Sequence, residues 1–131
     1  MYRYLEHTAD ELLEAQAPTF AQALKDAVEG SFELIGKGKR EEAKLEIEAA
    51  AETKEDLVVE ILQETVVGCE LNGLSPSRAE LIELNEEAPH AKFRIICEKK
   101  PPRNQIKAVT YHLLKVENEN GKWRINVLFD V

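Results

Sequence analysis

Apolar positions along the chain recur at two spacings, one helical and one alternating, and their order sets the elements. Two stretches carry the helical spacing. In the first, Phe20, Leu24, Ala27, Val28 and Leu34 form a stripe. Thr19 stands at its N-cap with Gln22 three residues on, as a capping box requires, and Gly36 is placed to end it. In the second, Leu57, Val58, Ile61, Leu62 and Val66 follow Thr53 and Asp56, the same capping spacing, and the stripe stops before an Asn72-Gly73 turn signal.

The rest of the pattern is extended. Tyr2 to Leu5 is a short aromatic strand, and Glu11 to Ala17 a second one of poor alternation, ended by Pro18. Leu45, Ile47 and Ala49 alternate with Lys44, Glu46 and Glu48, which predicts a half-buried strand. Arg78 to Leu84 and Ala91 to Cys97 pair as a hairpin across Asn85 to His90. Ile106 to Val116 reads as a long strand and Asn118 to Gly121 as a turn. The last strand sets Trp123, Ile125, Val127 and Phe129 on one face and Arg124, Asn126, Leu128 and Asp130 on the other. The order β-β-α-β-α-β-β-β-β, with strands segregated from two helices, predicts an α+β fold of helices packed on mostly antiparallel sheet. With no repeat or linker, residues 1–131 read as one domain.

Composition narrows the function classes. Hydrophobic residues are 44% of the 131 and charged residues 32%, an ordinary globular balance. The formal net charge of -8 argues against strong direct nucleic-acid binding and favours a cation or a basic protein partner. No run approaches the roughly 20 apolar residues of a membrane span, and Met1 to Glu6 lacks a signal-peptide pattern. Cys69 and Cys97 have neither metal-type spacing nor the density of a secreted disulfide framework, so both read as small buried hydrophobes in a cytoplasmic protein. Glycine-rich phosphate loops, nucleophile elbows and zinc-type spacings are absent from the sequence.

The residues that remain for chemistry stand at the two ends. Asp130 falls on the strand face opposite Phe129, beside the α-carboxylate of Val131. Adjacent anions repel, and a divalent cation would remove that cost. Asp10 from another strand would add a third hard oxygen of the kind calcium or magnesium prefers. The plainer alternative is a solvated acidic strand end. His7 and Asp10 are near enough for an acid–base pair or mixed ligation; the plainer alternative is that Thr8 and Asp10 make turn or cap hydrogen bonds and His7 packs between elements. Lys107 reads as a solvent-facing strand lysine or as a charge balancing the acids, and His112 as a packed or exposed strand residue.

Tyr4-Leu5-Glu6-His7-Thr8-Ala9-Asp10, the Thr19 to Leu34 helix, Ile106-Lys107-Ala108-Val109-Thr110-Tyr111-His112 and the closing Trp123 to Val131 strand, in this order and at this length, resemble the archease family across essentially the whole chain. The resemblance implies an accessory protein that promotes guanylylation and multiple turnover of an RtcB-type RNA ligase in tRNA splicing; a chaperone-like role with a tRNA methyltransferase is also attributed to the family. It further implies a divalent cation, most often calcium, with magnesium or manganese as alternatives, held by Asp10, Asp130 and Val131, and a functional role for Lys107. Glu11 stands where the family usually carries an aliphatic residue, and Val131 where it usually ends in Ile. A rival expectation is a small metal-dependent hydrolase using Asp10, Asp130 and His7.

Overall fold

The computed structural model of the chain describes residues 1–5 and 10–131. Nine elements follow one another: β1 (Tyr2–Leu5), β2 (Glu11–Ala17), α1 (Phe20–Ile35), β3 (Ala43–Ala50), α2 (Lys54–Asn72), β4 (Ser75–Asn85), β5 (His90–Glu98), β6 (Ala108–Glu119) and β7 (Lys122–Asp130). The strands form two antiparallel sheets, one ordered β1-β2-β7-β6 and the other β3-β5-β4. The order and the α+β class are those the hydrophobic pattern predicts.

Both helices touch both sheets: α1 packs on β2 and β4, and α2 on β3 and β6. A helix so placed is covered on two sides. Hence α1 buries Ala23, Phe32 and Ile35 beyond the single stripe, and even Asp26 and Ser31. These polar groups are satisfied. Ser31 Oγ donates to Val28 O at 2.6 Å, and Asp26 accepts from Gln22 Nε2 at 2.7 Å and pairs with the Met1 ammonium. Close approach demands a glycine at position 30, where a Cβ would lie 2.8 Å from both Leu13 Cδ1 and Tyr2 Cγ. Tyr4 adds a bond from its hydroxyl to Gly30 O at 2.8 Å.

Both N-caps form as predicted, with Thr19 Oγ1 accepting from Gln22 N and Thr53 Oγ1 from Asp56 N, each at 3.1 Å. The Gln22 side chain does not return to Thr19; it is committed to Asp26. Gly36 and Gly73, both left-handed, close the two helices. Phe20, Phe32, Phe93 and Phe129 are the largest fully buried side chains, and a single core cluster joins residues of both helices and both sheets.

Three boundaries differ from the sequence reading. The hairpin strands are longer, Ser75–Asn85 and His90–Glu98, and β6 starts at Ala108 and runs on to Glu119. The turn shrinks to Asn120-Gly121, both with positive φ, the two-residue geometry that suits strand twist. Ile106 and Lys107 therefore precede the strand. β6 also carries a wide bulge: Thr110 pairs with Leu128, but the next pair is Lys115 with Asn126, which leaves Tyr111 to Leu114 out of register. Leu113 there has φ 61°, and Tyr111 and Leu113 are exposed. His112 is exposed within the same bulge, not packed.

Candidate functional site

β7 runs between β2 and β6, so its last residue has a neighbour on each side. The β2–β7 ladder begins at Glu11 opposite Phe129, so Asp10, just before β2, and Asp130, the last residue of β7, lie at the same end of the sheet. On the other side Ala108 pairs with Asp130, and the Lys107 backbone N–H donates to Asp130 O at 2.8 Å. Asp10 sits in the bend just before β2 and, like Asp130, is half-buried; Val131 and Lys107 are exposed. Four of the predicted residues, Asp10, Lys107, Asp130 and Val131, thus meet at one end of one sheet. His7 lies outside the described residues. Lys107 is not a mid-strand lysine; it is anchored through its backbone immediately before β6.

The carboxylate oxygens of Asp10 and Asp130 are the hard donors that calcium or magnesium accepts. Val131, next to Asp130 in the chain, offers a further oxygen. The residues present therefore fit a divalent cation.

The surface behind this end differs from a free sheet face. Leu12 and Leu128, paired across β2 and β7, are buried yet stand apart from the main core cluster. The next pair, Glu14 with Asn126, is also buried. Burial alone would raise the Glu14 carboxyl. Hydrogen bonds from Gln16 Nε2 at 2.6 Å and Arg3 Nε at 2.8 Å, with the charges of Arg3 and Arg124, outweigh that and hold it below the usual carboxylate range. With its amide turned to satisfy both atoms, Asn126 donates to Glu14 Oε2 at 3.2 Å. The sequence reading missed this network. Its signal was the poor alternation of Glu11 to Ala17, where a glutamate sits among buried residues.

In front of the site lies a groove of about 440 Å³ lined by Glu11, Glu33, Leu34, Arg103, Asn104 and Val131 among others. The basic Lys99–Asn104 loop forms one wall because it closes the C-terminal end of α1. Asn104 donates from N to Ile35 O at 3.1 Å and from Nδ2 to Leu34 O at 3.0 Å, satisfying carbonyls the helix leaves open. A Cβ on Gly36, φ 112°, would meet Arg103 N at 2.9 Å.

Cys69 and Cys97 are free and buried, as expected, and lie side by side between α2 and β5. The neighbouring Cys97 sulfur and burial push the Cys69 thiol well up, which makes it a poor nucleophile.

Fold and site together define a small α+β protein with a built polar end and no recognisable catalytic nucleophile among the described residues. The model of the Archease protein family (MTH1598/TM1083) matches residues 2–131, and the chain belongs to that family. It is 32% identical over 136 residues to the protein archease of Methanopyrus kandleri, covering 97% of this chain and 96% of that one. Two solved structures are similar. The solution structure of Methanobacterium thermoautotrophicum protein 1598 superposes with a TM-score of 0.80 at 20% identity, covering 99% of this chain and 98% of that one. A crystal structure from Thermotoga maritima, described as an archease and possible chaperone, has a TM-score of 0.66 at 28% identity, covering 100% and 98%. Among the described residues no helix is long and apolar enough to cross a membrane.

Proposed function

We propose that the protein is a cytoplasmic, metal-dependent accessory factor of an RtcB-type RNA ligase in tRNA splicing. Asp10 and Asp130, with an oxygen of Val131, hold a divalent cation, calcium or alternatively magnesium or manganese. The observation that carries this reading is the convergence of Asp10, Lys107 and Asp130 on one sheet end in a member of the archease family. A cation there presents a compact positive centre beside the Lys107 side chain, suited to a partner's phosphate or nucleotide. The acidic remainder of the surface, net charge -8, suits docking on a basic RNA-binding enzyme by electrostatic steering. The protein itself transfers no group in this scheme.

The test is ligation by the partner ligase under multiple-turnover conditions. Asp10→Ala and Asp130→Ala are expected to abolish stimulation while circular dichroism stays that of the native protein; intact stimulation by either folded variant refutes the reading. A chaperone-like action on a tRNA methyltransferase is a second reading, supported by the description of the Thermotoga relative as a possible chaperone. It predicts that chelation with EDTA lowers the melting temperature without touching partner stimulation. Turnover of phosphoesters by the isolated protein with added divalent cation would instead favour a hydrolase.

A further inference from the structure

The outer face of the three-stranded sheet is a charge ladder whose rungs are unequally filled. The central strand β5 presents Arg94, Lys92 and His90 in turn, flanked by acids from β3 and β4. Glu46 and Glu80 stand level with Arg94, and both are paired: Arg94 Nη2 lies 3.2 Å from Glu46 Oε1, and Arg78 Nη1 lies 2.9 Å from Glu80 Oε2. Glu48 and Glu83 stand level with Lys92, but its ammonium turns back to Glu46 Oε2 at 3.5 Å. Among the described residues, no Lys or Arg then lies within 4.0 Å of either carboxylate; Glu48 Oε2 has only His90 Nε2, at 2.8 Å. Strand period alone would turn Glu83 inward, since Ala79 and Leu81 face the core. The bulge between Leu81 and Glu83 moves it to the outer face, beside the exposed Ile82.

We propose that Glu48, Glu83 and His90 form a second metal site, separate from Asp10 and Asp130, for a borderline divalent cation of the zinc class. One ligand atom from each residue lies within 4.8 Å of the others. Ligand atoms on one ion with bonds of about 2.1 Å are about 3 to 4 Å apart, so rotation of these solvent-accessible side chains closes the set without moving the backbone. The donors come from three hydrogen-bonded strands, which fixes their bases. An imidazole with two carboxylates selects zinc, cobalt, nickel or manganese over calcium, whose preference is for oxygen alone. A cation here supplies the positive charge that Lys92 withholds from this rung, and three protein ligands leave a coordination position for water or an incoming anionic group.

The experiment is calorimetric titration of the chelator-stripped protein with Zn²⁺, paired with NMR line broadening by Co²⁺. One binding event is expected to weaken at least tenfold in His90→Ala and in Glu83→Gln and to persist in Asp130→Ala and His112→Ala. Co²⁺ is expected to broaden amides around 48, 83 and 90. Zinc affinity undiminished in His90→Ala, no heat up to millimolar Zn²⁺, or broadening confined to residues around Asp130 would each overturn the proposal. Because Asp130→Ala separates the two sites, failure here is distinguishable from failure of the ligase-factor reading.

Discussion

The two sheets treat the charges on their outer faces in opposite ways. On the three-stranded sheet the acids and bases remain at the surface and pair across strands, Glu46 with Arg94 and Lys92, Glu80 with Arg94. On the four-stranded sheet the corresponding face is sealed: Leu12 and Leu128 are buried, and Glu14 and Asn126 with them. Exposed pairs in water contribute little, whereas a buried carboxylate stays charged only if its oxygens are filled. The lesson is one of stiffness. The sheet that ends in Asp10 and Asp130 is buried on both faces along its two central strands, the kind of support that the proposed ligand pair would need.

Mutations break or sharpen this contrast in order of size. Leu128→Ala removes a buried side chain outside the main cluster and is expected to cost about 2 to 3 kcal/mol, toward the lower end for buried leucines because the sheet surface can partly relax. Chemical denaturation measures it, and a cost near zero would mean the face is not sealed. Glu14→Gln is expected to cost about 1 to 2 kcal/mol, discounted because Arg3 and Arg124 are themselves partly exposed. It also carries a pH signature. The folded carboxyl of Glu14 lies below its unfolded value, so its stabilisation is complete above the unfolded glutamate range near about pH 4.3. It is lost as pH falls through the folded value. The variant should therefore show a flatter fall in stability on acidification, and an unchanged acid limb would assign that limb to other groups. Glu46→Gln is the smallest perturbation, expected to leave the denaturation midpoint within error of the native protein; a clear loss would make the exposed ladder as structural as the sealed face.

Much of the fold was legible because its signals are local. Thr19 and Thr53, each followed by helical spacing, announce both helices, and Asn120-Gly121 announces the last hairpin. Alternation from Leu45 to Ala49 and from Trp123 to Phe129 names the inward faces correctly. What failed was whatever depends on contact with remote segments. The burial of Glu14 depends on Arg3 and Arg124 being brought beside it from other strands, and the start of β6 at Ala108 depends on where β7 ends.

The candidate site divides along the same line. The sequence by itself offered Asp10, Asp130 and Val131 as candidate ligands, and the family resemblance added a functional role for Lys107. Only the tertiary structure decided that they share one sheet end, because that rests on the β2–β7 and β6–β7 registers between segments about a hundred and about twenty residues apart. It also decided that the Glu83 side chain joins Glu48 and His90. A strand period read from residue 79 onward points Glu83 into the core, and only the bulge against β5 reverses it. Side-chain spacing is written in the chain, but strand register is settled by the neighbour a strand meets.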